Sequence, residues 1–223
     1  ADYAFAVRRA AGVMDELRGG IAELLAGVDI VEGEARIDAG PAVCVGDERF
    51  TADKIIIATG SRPAALRCEG ADEAINSDAF LKLETLPERL TIVGGGVIGL
   101  EFASIAAAYG TKVTVLEYCP EILPNFDADI AKRLNRFLGR RGIDIVCSAE
   151  VTKITADKTV TYLRKGKEKS VEGDMVLCAV GRRPVVPEGC ELVGIELDKR
   201  GFIVTDEAMQ TSVAGVYAIG DVN

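Results

Sequence analysis

Six consecutive residues, Gly94-Gly95-Gly96-Val97-Ile98-Gly99, place glycines at the first, third and sixth positions of a GxGxxG pattern. Joined to a strand before it and a helix after it, such a pattern binds phosphate through bare backbone, without a lysine. In that setting Gly94 permits the tight turn, Gly96 lets the chain approach a pyrophosphate, and Gly99 lets helix and strand pack closely. Amides near Val97 and Ile98 would face the anion, with the helix dipole contributing about 0.3–2 kcal/mol. Glu117 ends the apolar run KVTVLE, 18 residues beyond Gly99. A carboxylate there accepts hydrogen bonds from ribose hydroxyls and repels a 2′-phosphate by roughly a few kcal/mol. The following Tyr118-Cys119-Pro120 bring no arginine, so the pattern predicts NAD over NADP. The alternative is a glycine-rich turn followed by a surface glutamate. Glu101 is, on spacing alone, equally an ordinary carboxylate near a helix start.

The context of the loop is what its chemistry requires. Strand TIV (91–93), a helix over 97–109 closed by Gly110, strand KVTVLE (112–117), a helix over about 127–141 closed by Gly142, and strand IDIVC (143–147) alternate as βαβαβ, which predicts a parallel sheet. The second helix is expected to bury Ile130, Leu134, Phe137 and Leu138 and to expose Lys132, Arg133, Arg136 and Arg140. Upstream, apolar residues of 2–26 (Phe5, Val13, Leu17, Ile21, Leu24, Leu25) recur at helical steps and predict a helix with one buried stripe. The runs VDIV, EARI, AVCV and KIIIA, separated by Gly33, Gly40-Pro41 and Gly46-Asp47, read as a β-meander, and Ser77 as the cap of a short helix over 78–83. Downstream, EVTKIT, TVTYLR and KSVEGDMVLCAV read as a second antiparallel meander, with GFIVTD another short strand. IIIATG, VLCAVG and VYAIG share an apolar strand ending at glycine, and each is expected to end beside a dinucleotide.

Composition removes competing chemistries. Among 223 residues there is no histidine, which excludes a Ser-His-Asp triad, an HExxH zinc site and an imidazole base. The six cysteines form no CxxC or CxxxxC and read as small apolar residues in a reducing compartment, with no metal expected. The net charge of −9 and the lack of a long basic run argue against nucleic acid and anionic membrane as partners. Apolar stretches are cut by charges well short of a membrane span, and residues 1–26 do not resemble a signal peptide, so the expected location is cytoplasmic. Ala1 is not an initiator methionine and VYAIGDVN stops directly after an apolar strand, so the chain reads as truncated at both ends.

Taken together, IVGGGVIGLEFAS, KVTVLE, VGRRP and GFIVTDEAMQTSVAGVYAIGD resemble the flavoprotein pyridine nucleotide-disulfide oxidoreductases over nearly the whole chain, and within that family the dihydrolipoamide dehydrogenases. The resemblance implies an α/β, Rossmann-like FAD/NAD(P)-binding fold with a parallel sheet and an antiparallel β-meander, the NAD domain being inserted in a partial FAD domain. It implies a partial FAD domain over 1–76, an NAD domain over 77–185 and a returning segment over 186–223. Gly94, Gly95, Gly96, Val97, Ile98, Gly99, Glu101, Glu117, Val151 and Gly181 resemble the family's NAD-contacting set. Thr59, Gly60, Ser61 and Asp221 resemble FAD contacts, and Ala35 a backbone contact on the adenine side. Glu101 resembles a carboxylate near nicotinamide and flavin, paired in the family with a lysine from the flavin domain.

The family's first GxGxxG, its redox CxxxxC and its His-Glu base do not occur in this sequence. The resemblance thus implies an oxidoreductase in which a dithiol passes electrons through FAD to NAD, with this chain holding only the nicotinamide end and inactive alone. It further implies a homodimer at full length and, as partners, lipoyl-bearing proteins of 2-oxoacid dehydrogenase or glycine cleavage complexes. The alternatives are a relative reducing another disulfide, mercuric ion or oxygen, and a non-catalytic NAD-binding module.

Overall fold

The computed structural model describes residues 2–40 and 42–223; Ala1 and the Pro41 of the expected Gly40-Pro41 turn lie outside them. Helix α1 (Tyr3–Leu24) forms where the periodicity placed it, yet none of its residues is buried. Phe5, Val13, Leu17, Ile21 and Leu24 are all exposed. Helical spacing defines a face without specifying what covers it, which is why the expected buried stripe is absent.

Strands β1 (Ala35–Asp38), β2 (Ala42–Val45) and β3 (Glu48–Thr51) make the first meander, antiparallel in that order. Its third strand is ERFT: of the four expected runs VDIV forms no strand, and Ile55–Ile57 of KIIIA pair with residues 216–218 instead. Val28, Ile30 and Val31 are apolar but exposed, whereas Glu48 and Thr51 pair with Val45 and Ala42 across the Gly46-Asp47 turn. Hairpin geometry outweighs hydrophobicity there. Then come β4 (Ile55–Ile57), β5 (Ser61–Pro63), β6 (Ile75–Asn76) and the short α2 (Ser77–Phe80). The cap of α2 is Asn76, whose side chain accepts from the Ala79 amide at 2.9 Å, and not Ser77.

The predicted alternation follows as β7 (Arg89–Val93), α3 (Val97–Ala108), β8 (Lys112–Glu117), α4 (Ala128–Arg140) and β9 (Asp144–Cys147). Helix α4 is capped by Asp127, which accepts from the amides of Asp129 and Ile130. Its buried residues are Ala131 and Leu138, with Leu134 partly buried, while Ile130 and Phe137 remain 55% and 49% exposed. The inward stripe runs i, i+3, i+7 from Ala131, one position away from the expected Ile130 line.

The remaining strands are β10 (Glu150–Ile154), β11 (Val160–Arg164), β12 (Lys167–Val171), β13 (Met175–Cys178), β14 (Arg182–Pro184) and β15 (Val216–Ala218). The run KSVEGDMVLCAV is therefore two strands: β12 completes the antiparallel β10-β11-β12 meander, and β13 enters the parallel sheet. GFIVTD contributes only an isolated bridge, Leu197 with Ile203.

The five-stranded parallel sheet has the order β6-β13-β7-β8-β9. Side-chain alternation sends Ile92, Val115 and Leu177 to one face, against Phe80 of α2, Leu100, Phe102 and Ala106 of α3, and Leu138 of α4. Val93, Leu116 and Val176 go to the other, against Ile154, Val160 and Tyr162 of the β10-β11-β12 meander. One face is thus covered by helices and the other by a sheet.

The chain divides into two compact units, one holding residues up to Ala22 with Pro63–Gly181, the other Glu23–Arg62 with Arg182–Asn223. In sequence, residues 63–181 of the parallel-sheet unit lie between the two segments of the second unit, while the helix up to Ala22 precedes both. The seams precede the expected residues 76 and 185, because β6 already pairs with β13 in the parallel sheet and β14 pairs with β5. The second unit has its own core, in which Ile55 and Ile57 of β4 meet Val216 and Ala218 of β15 beside Ile37, Ile195 and Val222.

Candidate functional site

The site begins where β7 leaves the sheet. The Gly94 amide still donates to Leu116 O at 2.9 Å, and the chain then turns with Gly94 at φ 114°, a left-handed conformation. A Cβ on Gly94 would lie 2.3 Å from Ala179 O, so neither conformation nor space admits a side chain. Gly99 is excluded by packing alone, since its Cβ would lie 2.1 Å from Gly94 O. Gly96, the N-cap of α3, differs: its backbone is extended and nothing lies within 4 Å of the Cβ position. What a side chain there would fill is the cleft itself. The first-turn amides after Gly96 have no intrahelical acceptor and no side chain caps them.

The cleft has a volume of about 610 Å³, within the range of small-molecule sites, and Gly94, Gly96, Val97, Ile98, Glu117, Val151 and Gly181 line it together with Leu66, Arg67 and Glu150. Seven expected residues therefore converge. Gly95 and Gly99 support the loop from behind. Glu101 lies elsewhere: it is exposed and lines a separate apolar groove of about 650 Å³ with Val97, Leu100, Ile105, Phe126 and Leu134.

Glu117 is only 7% exposed at the end of β8. One carboxylate oxygen accepts from the Gly95 amide at 2.5 Å and the other from the Cys119 amide at 2.7 Å. A carboxylate offers about four acceptor positions, so half of them remain after these two bonds. The same side chain fixes the glycine turn and presents acceptors to the cleft. Sequence spacing placed a carboxylate at the end of β8; its bonds to the turn had no signal in the sequence, because they depend on how β8 lies beside it.

The neighbouring thiols are held protonated. Burial raises the pKa of Cys119, with the hydrogen bond and charge of Glu117 adding to it, and burial followed by the Glu117 charge raises that of Cys147. All six cysteines are free, and no metal-binding cluster of His, Cys, Asp or Glu occurs among the described residues.

In the second unit, residues expected at a flavin also gather. Ser61 Oγ donates to Asp221 Oδ2 at 2.7 Å, and Thr59 Oγ1 donates to Val185 O at 2.5 Å. Arg182, which the sequence reading did not single out, donates to Ser61 Oγ at 2.6 Å and Ser61 O at 2.7 Å and lies 3.7 Å from Asp221. It sits in VGRRP, so the motif was visible while its partners were not. Gly60 takes φ 69° between Thr59 and Ser61. Ala35 starts β1 opposite Val45, on the separate meander.

Comparison with known proteins gives a consistent result. Residues 2–223 match the family described as Pyridine nucleotide-disulphide oxidoreductase. A dihydrolipoyl dehydrogenase of Acholeplasma laidlawii is 42% identical over 230 residues, covering 100% of this chain and 68% of that protein. One of Bacillus subtilis (strain 168) is 40% identical, covering 95% and 48%. Among solved structures, the HOCl-induced flavoprotein disulfide reductase RclA from Escherichia coli matches with a TM-score of 0.88 at 32% identity, over 100% of this chain and 53% of that one. The chain spans about half to two thirds of the length of these relatives. With a family match over residues 2–223, the chain belongs to the pyridine nucleotide-disulphide oxidoreductases.

Proposed function

We propose that this chain is the NAD(H)-binding portion of a flavin-dependent dihydrolipoyl dehydrogenase, which passes electrons from a dithiol through FAD to NAD. The observation that carries the reading is the cleft open at Gly96 with the Glu117 carboxylate on its wall. The residues fit the dinucleotide: first-turn amides of α3 bind the pyrophosphate, Gly96 leaves room for it, and the free acceptor positions of Glu117 take the ribose hydroxyls. Once bound, the nicotinamide supplies the carbon that exchanges hydride. The protein orients it and, through Glu117, disfavours a 2′-phosphate.

The Thr59, Ser61, Arg182 and Asp221 group fits a flavin in part, with the exposed Asp221 carboxylate toward its ribityl and phosphate region. The sequence has one GxGxxG, assigned here to NAD, and neither CxxxxC nor histidine, so we assign to this chain nucleotide binding without disulfide turnover of its own. Full-length partners are, on this reading, a second copy and lipoyl-bearing proteins, and the location is cytoplasmic; no described helix is long and apolar enough to cross a membrane. The similarity to a flavoprotein disulfide reductase supports a second reading, a relative acting on another disulfide, which shares this cleft.

The test is titration with NADH and NADPH, followed by fluorescence or calorimetry. The chain is expected to bind NADH more tightly than NADPH. Glu117→Ala would strand both the Gly95 and the Cys119 amide, at about 1–3 kcal/mol each, whereas Glu117→Gln keeps one acceptor oxygen and strands only one of them, so it is the milder variant. It is expected to weaken NADH by about tenfold and to narrow the NADH/NADPH difference. Wild-type chain without measurable NADH affinity would sink the proposal.

A further inference from the structure

Among the described residues lining the nucleotide cleft, the charged side chains are Arg67, Glu117 and Glu150, so Arg67 is its one cation. Arg67 is exposed and makes no ion pair with any described residue, including both of those carboxylates.

The backbone that carries it is held at both ends. The Ala64 amide donates to Gly181 O at 2.9 Å, the Glu69 amide to Thr152 O at 3.2 Å, and the Ile154 amide to Glu69 O at 2.8 Å. Between these anchors, Leu66 and Cys68 are partly buried against the apolar cluster under the sheet, while Arg67 is exposed and lines the cleft beside Leu66. Its position along the cleft follows from the same bonds. Arg67 lies closer in sequence to the Glu69 anchor on β10 than to the Gly181 anchor. β10 begins beside Ala149, whose amide donates to Glu117 O at 2.9 Å. The Arg67 backbone is thus carried beside the start of β10, whose Glu150 and Val151 line the cleft together with Glu117.

We infer that Arg67 binds the adenine of the dinucleotide, stacking its guanidinium plane on a face of the purine. This rests on the NAD(H) reading of the cleft. A planar, weakly hydrated cation stacks well on an aromatic face, and the absence of an ion pair leaves it free to do so. It leaves the ribose hydroxyls to Glu117 and supplies positive charge in a cleft that otherwise presents two carboxylates to an anionic ligand.

The experiment compares wild type, Arg67→Ala, Arg67→Lys and Glu117→Gln in calorimetric titrations with NADH, with AMP, and with reduced nicotinamide mononucleotide, which lacks the adenosine. Arg67→Ala is expected to weaken NADH and AMP together by about fivefold and to leave the mononucleotide unchanged. Arg67→Lys is expected to recover less than half of the loss, since it keeps the charge without the plane. Thermal melts of the variants check folding, and an exposed, unpaired side chain predicts no shift. NADH affinity in Arg67→Ala within twofold of wild type, an equal loss for the mononucleotide, or full recovery by lysine would each overturn the inference. If the wild type binds NADH and Glu117→Gln weakens it while Arg67→Ala does not, only this inference falls. If the wild type does not bind NADH, the NAD(H) reading falls and takes it along.

Discussion

The glycines of the loop make separable demands, and substitution distinguishes them. Gly96 faces open space, so Gly96→Val should leave the fold and its melting temperature nearly intact while abolishing NADH binding. Gly94 has the reverse character. A methyl group there would meet Ala179 O in a left-handed backbone, so Gly94→Ala is expected to cost about 1–3 kcal/mol in chemical denaturation before any ligand is added. A Gly96 variant that unfolds, or a Gly94 variant of undiminished stability, would contradict the roles assigned to them. Glu117 shows why residue type and spacing reach only part of a site. Its place after an apolar strand marked it as a ribose ligand, whereas its two bonds to backbone amides exist because the end of β8 lies against the turn. Burial and the Glu117 charge raise the pKa of the thiols beside it, Cys119 and Cys147, which lowers their thiolate fraction.

Among the elements, the central parallel pair is secured at its start by one arginine. Arg89, at the head of β7, donates from its backbone amide to Asp174 at 2.9 Å and from its guanidinium to Asp174 at 2.7 Å and Glu172 at 3.3 Å, just before β13 begins. The Arg89 hydrogen bond holds the Asp174 carboxyl below its ordinary value of 3.8. A depressed carboxyl stabilises the fold fully above that ordinary value, and the contribution disappears as pH falls through the lower folded-state value. Asp174→Asn should therefore lower stability at neutral pH and flatten the acid limb of a stability–pH curve below about pH 4. Parallel limbs for wild type and variant would refute the clamp. The clamp also accounts for the misread run KSVEGDMVLCAV. Glu172-Gly173-Asp174 marks a break within it, but the change from antiparallel pairing with β11 to parallel pairing with β7 shows only in contacts distant in sequence. Helix α4 was read in part: the expected Leu138 is buried and Leu134 partly so, but the sheet took Ala131 in place of Ile130 and Phe137.

For the whole chain, the two units carry separate cores, and the cleft proposed for NAD(H) is lined entirely from the parallel-sheet unit. Ligand binding stabilises what it binds, by about 2.7 kcal/mol at a hundredfold excess over Kd. Hydrogen exchange with saturating NADH should accordingly slow around 93–99, 116–119, 149–151 and 179–181 and leave the β1-β2-β3 meander unchanged. Uniform protection of both units would contradict a cleft confined to one of them.

By itself the sequence determined the βαβαβ alternation, the glycine loop, the carboxylate after the second strand and the family, because each is written in neighbouring residues: periodicity, turn chemistry and short spacing act over a few positions. Only the tertiary structure decided that β13 sits between β6 and β7, that Glu117 clamps the turn it faces, that Arg182 joins Ser61 and Asp221, and that Arg67 stands alone in the cleft. Those facts depend on contacts between residues far apart in the chain, where local pattern carries no information about which partner is met.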